Sequence, residues 1–175
     1  VAPRNPLLLA GGARADHVAT RNRAGYFGDA STSNGSLSGF TSATVGPFGG
    51  VSLTGQVARG FRDPTLSDRY YRGPTGRGFI TGNPDLDPET SLQWDGGVRY
   101  TAAKLRLAAY VFHYRIDDLI ERYETTPDNF FFRNRGRARI RGVEIEAMAT
   151  LTPATTLEIS GHVQRGTALD DEADL

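Results

Sequence analysis

The sequence contains no cysteine among its 175 residues and carries no net charge. The absence of cysteine excludes a disulfide scaffold, a thiolate metal centre and a cysteine nucleophile. Because 20 basic residues balance 20 acidic ones, no overall field attracts nucleic acid, and we expect no nucleic-acid partner. Lysine is also scarce: Lys104 is the only one, so nearly every positive charge is a planar arginine.

Long hydrophobic runs are missing as well. The longest, such as residues 7–10, fall far below the roughly 18 residues that a transmembrane helix needs. A transmembrane β-barrel stays possible, since its strands need only about 9 to 11 residues of alternating character. Residues 1–5 show no secretory leader, so we expect either a mature chain or a piece of a longer one.

Alternation of apolar and polar residues recurs along the chain and predicts about seven long β-strands. It is clear over residues 51–58, 91–101, 143–151 and 157–164, and weaker over 7–19, 37–46 and 105–120. In the 91–101 segment, Leu92, Trp94, Val98 and Tyr100 share one face, and Gln93, Asp95 and Arg99 share the other. We predict that the apolar face contacts lipid.

The predicted connections alternate in length. Short ones at 46–50, 100–104 and 151–155 alternate with long ones at about 21–36, 62–90 and 123–130. This arrangement is typical of outer-membrane barrels. The predicted fold class is all-β: an antiparallel up-and-down meander that forms an incomplete transmembrane barrel. A soluble β-sandwich remains open at this point.

Three sequence elements identify a family. A GFR-x-P element ends a strand at 60–64, a GNP-x-L-x-PE element precedes one at 82–89, and an N-x-G-x-A element leads into RGVE at 134–144. In this order and spacing they resemble the barrel domain of TonB-dependent outer-membrane receptors. The residues that carry the resemblance, and for which we expect structural roles, are Gly60, Phe61, Pro64, Gly82, Asn83, Pro84, Leu86, Pro88, Glu89, Asn134, Gly136, Gly142 and Glu144.

The resemblance implies a receptor of the Gram-negative outer membrane that imports a scarce ligand, such as an iron chelate, haem or cobalamin, with energy relayed by TonB. It implies no enzymatic activity and no cofactor. The implied partners are outer-membrane lipid and lipopolysaccharide, the small anionic or metal-chelate ligand, and a plug domain and TonB reached through an N-terminal region. We expect residues 1–175 to be part of the barrel, without the signal sequence, the plug domain or the C-terminal end of the barrel.

The segment from about 62 to 88 combines basic and aromatic residues at the predicted long-loop end. The candidate ligand-binding residues are Arg62, Arg69, Tyr70, Tyr71, Arg72, Arg77 and Phe79. Arginine offers paired donors to carboxylate or catecholate oxygens, and aromatic rings offer stacking area. The alternative, equally weighted, is that these arginines fix the loop through Asp63, Asp68, Asp85 and Asp87.

Five arginines occupy alternate positions of one predicted strand: Arg133, Arg135, Arg137, Arg139 and Arg141. They have the same parity as the apolar residues Val143 and Ile145, so they would face lipid at a cost of roughly 2 to 4 kcal/mol each near the midplane. Either this half of the strand projects above the membrane, or a bulge near Gly142 shifts the register. Contact with lipopolysaccharide headgroups is one interpretation.

Other patterns of reactive residues are weak. His17, His113 and His162 have no metal-ligand spacing, so no metal site is expected. Glu144 and Glu146 lie on the polar face of one predicted strand, and a soluble β-rich binding or hydrolase module could use them. The need for detergent would separate this alternative from a barrel.

Overall fold

A computed structural model describes residues 7–169 as a single mixed sheet with one short helix. The strands are β1 (Leu7–Asn22), β2 (Ala30–Phe48), β3 (Val51–Arg62), β4 (Arg72–Thr75), β5 (Gly78–Thr81), β6 (Glu89–Thr101), β7 (Leu105–Thr126), β8 (Asn129–Thr152) and β9 (Thr155–Ala168), and the helix is α1 (Leu66–Tyr70). No helix within these residues is long and apolar enough to cross a membrane.

Seven long strands form an antiparallel meander in chain order, β1-β2-β3-β6-β7-β8-β9, which confirms the predicted fold class. Within the described residues the sheet does not close, and no second sheet packs on it, in contrast to a sandwich. The two extra strands, β4 and β5, form a hairpin inside the segment between β3 and β6, which was expected to be a loop. β5 pairs in parallel with the start of β8, so this segment is attached to the sheet.

Short turns lie at one end of the meander. Gly49 and Gly50 join β2 to β3 with φ angles of 57° and 86°, a conformation that favours glycine. At the other end, residues 23–29 and 63–88 connect strands. The prediction of a long loop at 123–130 is wrong, because β7 and β8 continue to a turn of two residues, Pro127 and Asp128. Residues 119–126 of β7 pair with residues 129–135 of β8, so this hairpin extends past the neighbouring strands.

The two faces of the sheet differ in polarity. Cross-strand register aligns apolar or small residues on one face, in rows such as Val57–Trp94, Gly55–Gly96–Val111–Val143–Val163 and Leu53–Val98–Ala109–Ile145–Gly161. Large members of this face are exposed, with Ile145 at 56% and Val163 at 78%. Trp94, Val98 and Tyr100 lie on it as predicted. A face this apolar and this exposed needs a nonpolar solvent, which lipid provides.

Buried side chains cluster at the loop end of the sheet. The buried hydrophobic residues among the described ones are Ile80, Leu86, Ile120, Ala138 and Ala168. They come from β5, the segment before β6, and the far halves of β7, β8 and β9. The packed core therefore lies under the long connection, and the membrane-facing part of the sheet has none.

The arginine run on β8 is explained by projection above the membrane. The ladder of β8 with β7 and with β9 passes Gly142 without a register shift, so no bulge reorients the arginines. Gly142 is needed for another reason: a Cβ there would lie 2.4 Å from the ring of Phe112 and 2.6 Å from the carbonyl oxygen of Val163.

The assignment of faces predicts opposite effects for arginine at two positions of β8. Ile145→Arg places a charge in hydrocarbon and should lower the free energy of unfolding in bilayers by about 2–4 kcal/mol. Met148→Arg lies on the polar face between Arg106 and Glu158, so attraction to Glu158 offsets repulsion from Arg106. It should change the free energy of unfolding by less than about 1 kcal/mol. Refolding titrations of the receptor in lipid vesicles measure both. Equal destabilisation by the two variants would contradict the assignment.

Candidate functional site

The segment 63–88, which we name the cap, is the longest connection at the long-loop end among the described residues. It starts with α1, whose N-cap residue Thr65 accepts a hydrogen bond from the Asp68 amide at 3.1 Å while its own amide donates to Asp68 Oδ2 at 2.9 Å. This reciprocal pair satisfies two amides at the start of the helix. The β4–β5 hairpin follows and pairs with β8. The cap therefore has a defined structure over the end of the sheet.

Two of the candidate arginines hold the cap together. Arg69 is only 1% exposed; its Nη2 donates to the Leu86 carbonyl at 2.8 Å, and its Nη1 lies 3.8 Å from Asp63 Oδ2. Arg62 is half-exposed and lies 3.4 Å from both Asp68 Oδ2 and Glu89 Oε2. For these two residues the geometry favours the structural alternative, and the burial of Arg69 prevents contact with an incoming molecule.

Asn134 joins the cap to the sheet through three hydrogen bonds. Its Oδ1 accepts from the Asp87 amide at 2.8 Å, and its Nδ2 donates to the carbonyls of Asp87 at 3.0 Å and Asp118 at 2.8 Å. Asp118 lies between the Asp117–Arg137 and Leu119–Arg135 pairs, with a left-handed φ of 57°. The Asn134 side chain thus ties the cap to an irregular point of β7.

Two further motif residues make similar links. Glu89 Oε2 accepts from the Ile120 amide at 3.1 Å, and Asn83 Nδ2 donates to the Phe132 carbonyl at 3.1 Å. Asn83 Oδ1 also accepts from the Asp85 amide at 3.0 Å. With Asn134, these residues form what we name the cap clamp: Asn83, Glu89 and Asn134. The second and third family elements meet here although they are about 50 residues apart in sequence.

Other motif residues allow close packing around the clamp. A Cβ at Gly82 would lie 2.6 Å from the Arg69 backbone, and a Cβ at Gly60 would lie 2.6 Å from Ser91 Oγ. Pro64 is less than 2% exposed and Leu86 is 3% exposed. The same region of β3, the cap and β8 also contains Phe61, Pro84, Pro88 and Gly136. Glu144 lies elsewhere, on the polar face of β8 opposite Tyr110.

The remaining candidates surround an exposed arginine. The guanidinium of Arg72 lies 4.1 Å from the ring centroid of Tyr26 and 5.1 Å from that of Phe79. Tyr26 contacts Phe27 edge-on at 5.0 Å, and Phe27 lies 6.1 Å from Tyr70. Tyr26 is 68% exposed. We name Tyr26, Phe27, Tyr70, Arg72 and Phe79 the aromatic–arginine patch.

The patch includes residues that sequence reasoning missed. Tyr26 and Phe27 lie in the connection between β1 and β2, and Tyr70 Oη lies 3.3 Å from Thr32 Oγ1 on β2. The only sequence signal for them was an aromatic pair in a connection at the same end of the barrel. Tyr71 donates to the Pro74 carbonyl at 2.8 Å, and Arg77 is exposed at the turn of the β4–β5 hairpin. These two lie beside the patch in sequence without a ring contact to it among the described residues.

The polar face of the sheet carries charges with few partners. Arg99 donates to Tyr110 Oη at 3.0 Å, and Gln93 donates to Asp95 at 2.9 Å. A cavity of about 480 Å³ near the short-turn end is lined by residues that include Arg99, Arg106, Glu146, Met148 and Glu158. In the part of the chain that the structure describes, the four charged residues of this lining form no ion pair. Over residues 7–169, no cluster of three acidic or histidine side chains could hold a metal ion.

Comparison with known proteins gives a family and a fold. The family model described as "TonB dependent receptor-like, beta-barrel" matches residues 2–172. The vitamin B12 transporter BtuB of Vibrio vulnificus (strain YJ016) is 30% identical over 105 residues, which are 59% of this chain and 16% of that protein.

Two solved structures illustrate the similarity of fold. The copper transporter OprC superposes with a TM-score of 0.81 at 22% identity, over 97% of this chain and 29% of that one. The ferric yersiniabactin uptake receptor FyuA of Yersinia pestis gives a TM-score of 0.67 at 24% identity, over 95% of this chain and 25% of that one. The chain thus spans less than a third of the length of each of these proteins.

Removal of the Asn134 side chain should loosen the cap. Asn134→Ala leaves the Asp87 amide and two carbonyls without partners, at a cost of about 1–3 kcal/mol. We expect the Asp87 amide to exchange hydrogen at least about fivefold faster in the receptor. Asn129→Ala is the matched control, because Asn129 lies at the tip of the same hairpin. Its Nδ2 donates to the Pro127 carbonyl and makes no contact with the cap through this hydrogen bond. Exchange at Asp87 that is equal in both variants would contradict a clamp at Asn134.

Proposed function

The chain belongs to the TonB-dependent receptor-like β-barrel family, and we propose that it forms a section of the barrel wall of a receptor that imports a scarce ligand. Its location is the outer membrane of a Gram-negative bacterium. Within the receptor, residues 7–169 supply wall and cap, and further strands and a plug domain complete the structure. The proposed activity is binding and passage of a ligand, with no covalent step.

The polar face of the sheet supports the proposed plug partner. Arg99, Arg106, Glu146 and Glu158 line a cavity on or beside this face and lack ion partners among residues 7–169. Charges that become buried need paired or hydrogen-bonded partners, and a domain inside the barrel can supply them. We propose that the plug supplies these groups and that TonB acts on the plug, so that energy reaches the wall only indirectly.

The aromatic–arginine patch supports the proposed ligand class. Arg72 is exposed and its guanidinium group lies near two aromatic rings, which restrict its position while its donors stay accessible. Such a group can donate two parallel hydrogen bonds to a carboxylate or catecholate, and the rings add stacking area. We propose a bulky anionic chelate of a metal as the ligand. The names of the relatives refer to vitamin B12, copper and ferric yersiniabactin, which are compatible with metal-bearing cargo.

The observation that carries the ligand proposal is the exposed Arg72 between Tyr26 and Phe79. The proposed ligand site does not include Arg62 and Arg69, because their guanidinium groups bind partners within the cap and on β6. It includes Tyr26 and Phe27 instead. Arg77 and Tyr71 remain candidates at the edge of the patch. Lipid and lipopolysaccharide are the proposed partners of the outer face.

Replacement of Arg72 should weaken capture of an anionic chelate. Loss of a charge-assisted pair of hydrogen bonds predicts an affinity at least about tenfold lower for Arg72→Ala, and a smaller loss for Phe79→Ala. Binding to the receptor is measured with four probes: a ferric tris-catecholate, haem, cyanocobalamin and Cu²⁺. Uptake of whichever probe binds should stop in cells that lack TonB.

Lys104→Ala is the control for the loss of one positive charge, since Lys104 lies at the short-turn end of the barrel. It should leave binding of all probes within about twofold of the wild type. If Arg72→Ala also left every affinity unchanged, the patch would have only a structural role. Uptake that continued without TonB would contradict the proposed energy source.

A further inference from the structure

Three aromatic residues follow one another on the polar face of β7. Tyr110, Phe112 and Tyr114 occupy alternate positions of this strand, and their pairing with β6 places them on the same face as Gln93 and Asp95. The rings of Phe112 and Tyr114 lie 5.2 Å apart, with 32° between their planes. We name Tyr110, Phe112 and Tyr114 the aromatic track. Since this face is turned away from lipid, contact with the membrane does not account for the three rings.

Glycines on the two neighbouring strands make room for the track. Gly97 on β6 pairs with Tyr110, and a Cβ there would lie 2.7 Å from Tyr110 Cδ1. Gly142 on β8 pairs with Phe112, and a Cβ there would overlap its ring. The rings can therefore lie against the backbone of the adjacent strands instead of projecting far into the barrel. All three remain partly exposed.

The track joins two cavities on the polar side of the sheet. A cavity of about 630 Å³ nearer the cap is lined by residues that include Phe40 and Gln93, and Gln93 pairs directly with Tyr114. At the other end, Arg99 donates to Tyr110 Oη at 3.0 Å and lines the cavity of about 480 Å³ near the short turns. Tyr114 and Tyr110 are four residues apart, which is roughly 13 Å along a strand. The rings thus span the distance between an upper and a lower cavity.

We propose that the aromatic track is the wall of the path by which the chelate crosses the barrel, from the upper cavity to the lower one. The occupant is a chelate with aromatic metal-binding groups, such as catecholates or phenolates, because their rings stack on each ring of the track in turn. Residues on one face of a strand are about 6.6 Å apart, so a ligand with several rings reaches the next residue before it leaves the previous one. The inference rests on the proposed function, and it concerns passage, whereas the aromatic–arginine patch concerns capture.

Charges beside the track keep the contact with an anionic chelate weak. Asp95 pairs with Phe112, and Glu144 pairs with Tyr110, so carboxylates flank the rings on both sides. Repulsion turns the charged groups of the chelate away from this part of the wall and leaves the ring faces as the contact. Arginine donors lie at the two ends of the path, in the patch and at Arg99. Passage requires sites that a ligand can leave easily, and this distribution of charge provides them.

The first test measures binding and uptake of a radiolabelled ferric tris-catecholate by the complete receptor in cells. Phe112→Ala/Tyr114→Ala should lower the maximal rate of uptake at least about fivefold, because two stacking surfaces are lost. Its affinity should stay within about twofold of the wild type, which also shows that the variant is folded. Phe112→Tyr/Tyr114→Phe keeps both rings and should keep the rate within about twofold.

Ser42→Ala/Thr44→Ala is the control for the alanine variant. Ser42 lies in the row of Phe112 and Thr44 in the row of Tyr110, on the same face but on β2, three strands and about 14 Å away. This control should leave both the affinity and the maximal rate within about twofold of the wild type. An equal loss of rate in the control and in Phe112→Ala/Tyr114→Ala would overturn the proposal.

The second test asks whether the chelate itself reaches the track. A ferric tris-catecholate with a bromoacetyl arm is added to energised cells whose receptor carries one cysteine, from either Phe112→Cys or Ala10→Cys. Ala10 is the matched position, because it lies in the row of Phe112 and on the same face but four strands away, about 19 Å across the sheet. Relative to free bromoacetamide, Phe112→Cys should be alkylated at least about fivefold faster. Equal relative rates would overturn the proposal and assign the rings to packing against the plug.

The two proposals fail in different measurements. Arg72→Ala should lower the affinity for ferric tris-catecholate and keep the maximal rate, since a saturating concentration restores occupancy of the patch. Phe112→Ala/Tyr114→Ala should lower the maximal rate and keep the affinity. An unchanged affinity in Arg72→Ala would count against the patch alone, and an unchanged maximal rate in Phe112→Ala/Tyr114→Ala would overturn the track alone.

Discussion

In hydrocarbon, every backbone amide and carbonyl must find its partner within the protein, and this constraint governs the whole structure. It explains why seven long strands pair in chain order, with shifts of register only next to the turns, at Val45/Phe48, Glu124/Thr126 and Thr150/Thr152. The left-handed Asp118, helix α1 and the parallel β5–β8 pairing all lie at the long-loop end, where water and the cap can satisfy the backbone.

The same constraint moves the packed core out of the membrane. Between the short turns and Arg141 the sheet contacts lipid on one face and the barrel interior on the other, so it has no core of its own. Ile80, Leu86 and Ile120 pack instead beneath the cap, and Asn134 and Glu89 fix the cap to β7 and β8. A rigid cap in turn holds Arg72 over the rings of Tyr26 and Phe79. The proposed ligand contact thus depends on polar side chains that lie outside the aromatic–arginine patch.

Period-two alternation was enough to predict the meander, because the strands are bounded by two media of opposite polarity. It could not predict the β4–β5 hairpin, whose pairing depends on contacts with β8 that are distant in sequence. Arg69 and Arg72 look equivalent in the sequence; only the return of Leu86 over α1 buries one of them. The family elements marked Asn134 as structural, but its partners Asp87 and Asp118 follow from the fold alone.

One face of this sheet contacts lipid and the other lines the barrel interior, and spin labelling tests this assignment directly. The chain has no native cysteine, so single cysteines at residues 92 to 100 of β6 can each carry a nitroxide in the receptor in bilayers. Spin-relaxation measurements then compare collision with oxygen and with a polar nickel complex. We expect oxygen accessibility to peak at every even position, with Trp94 and Val98 among them, and to fall at every odd one. A reversed pattern, or no alternation, would contradict it.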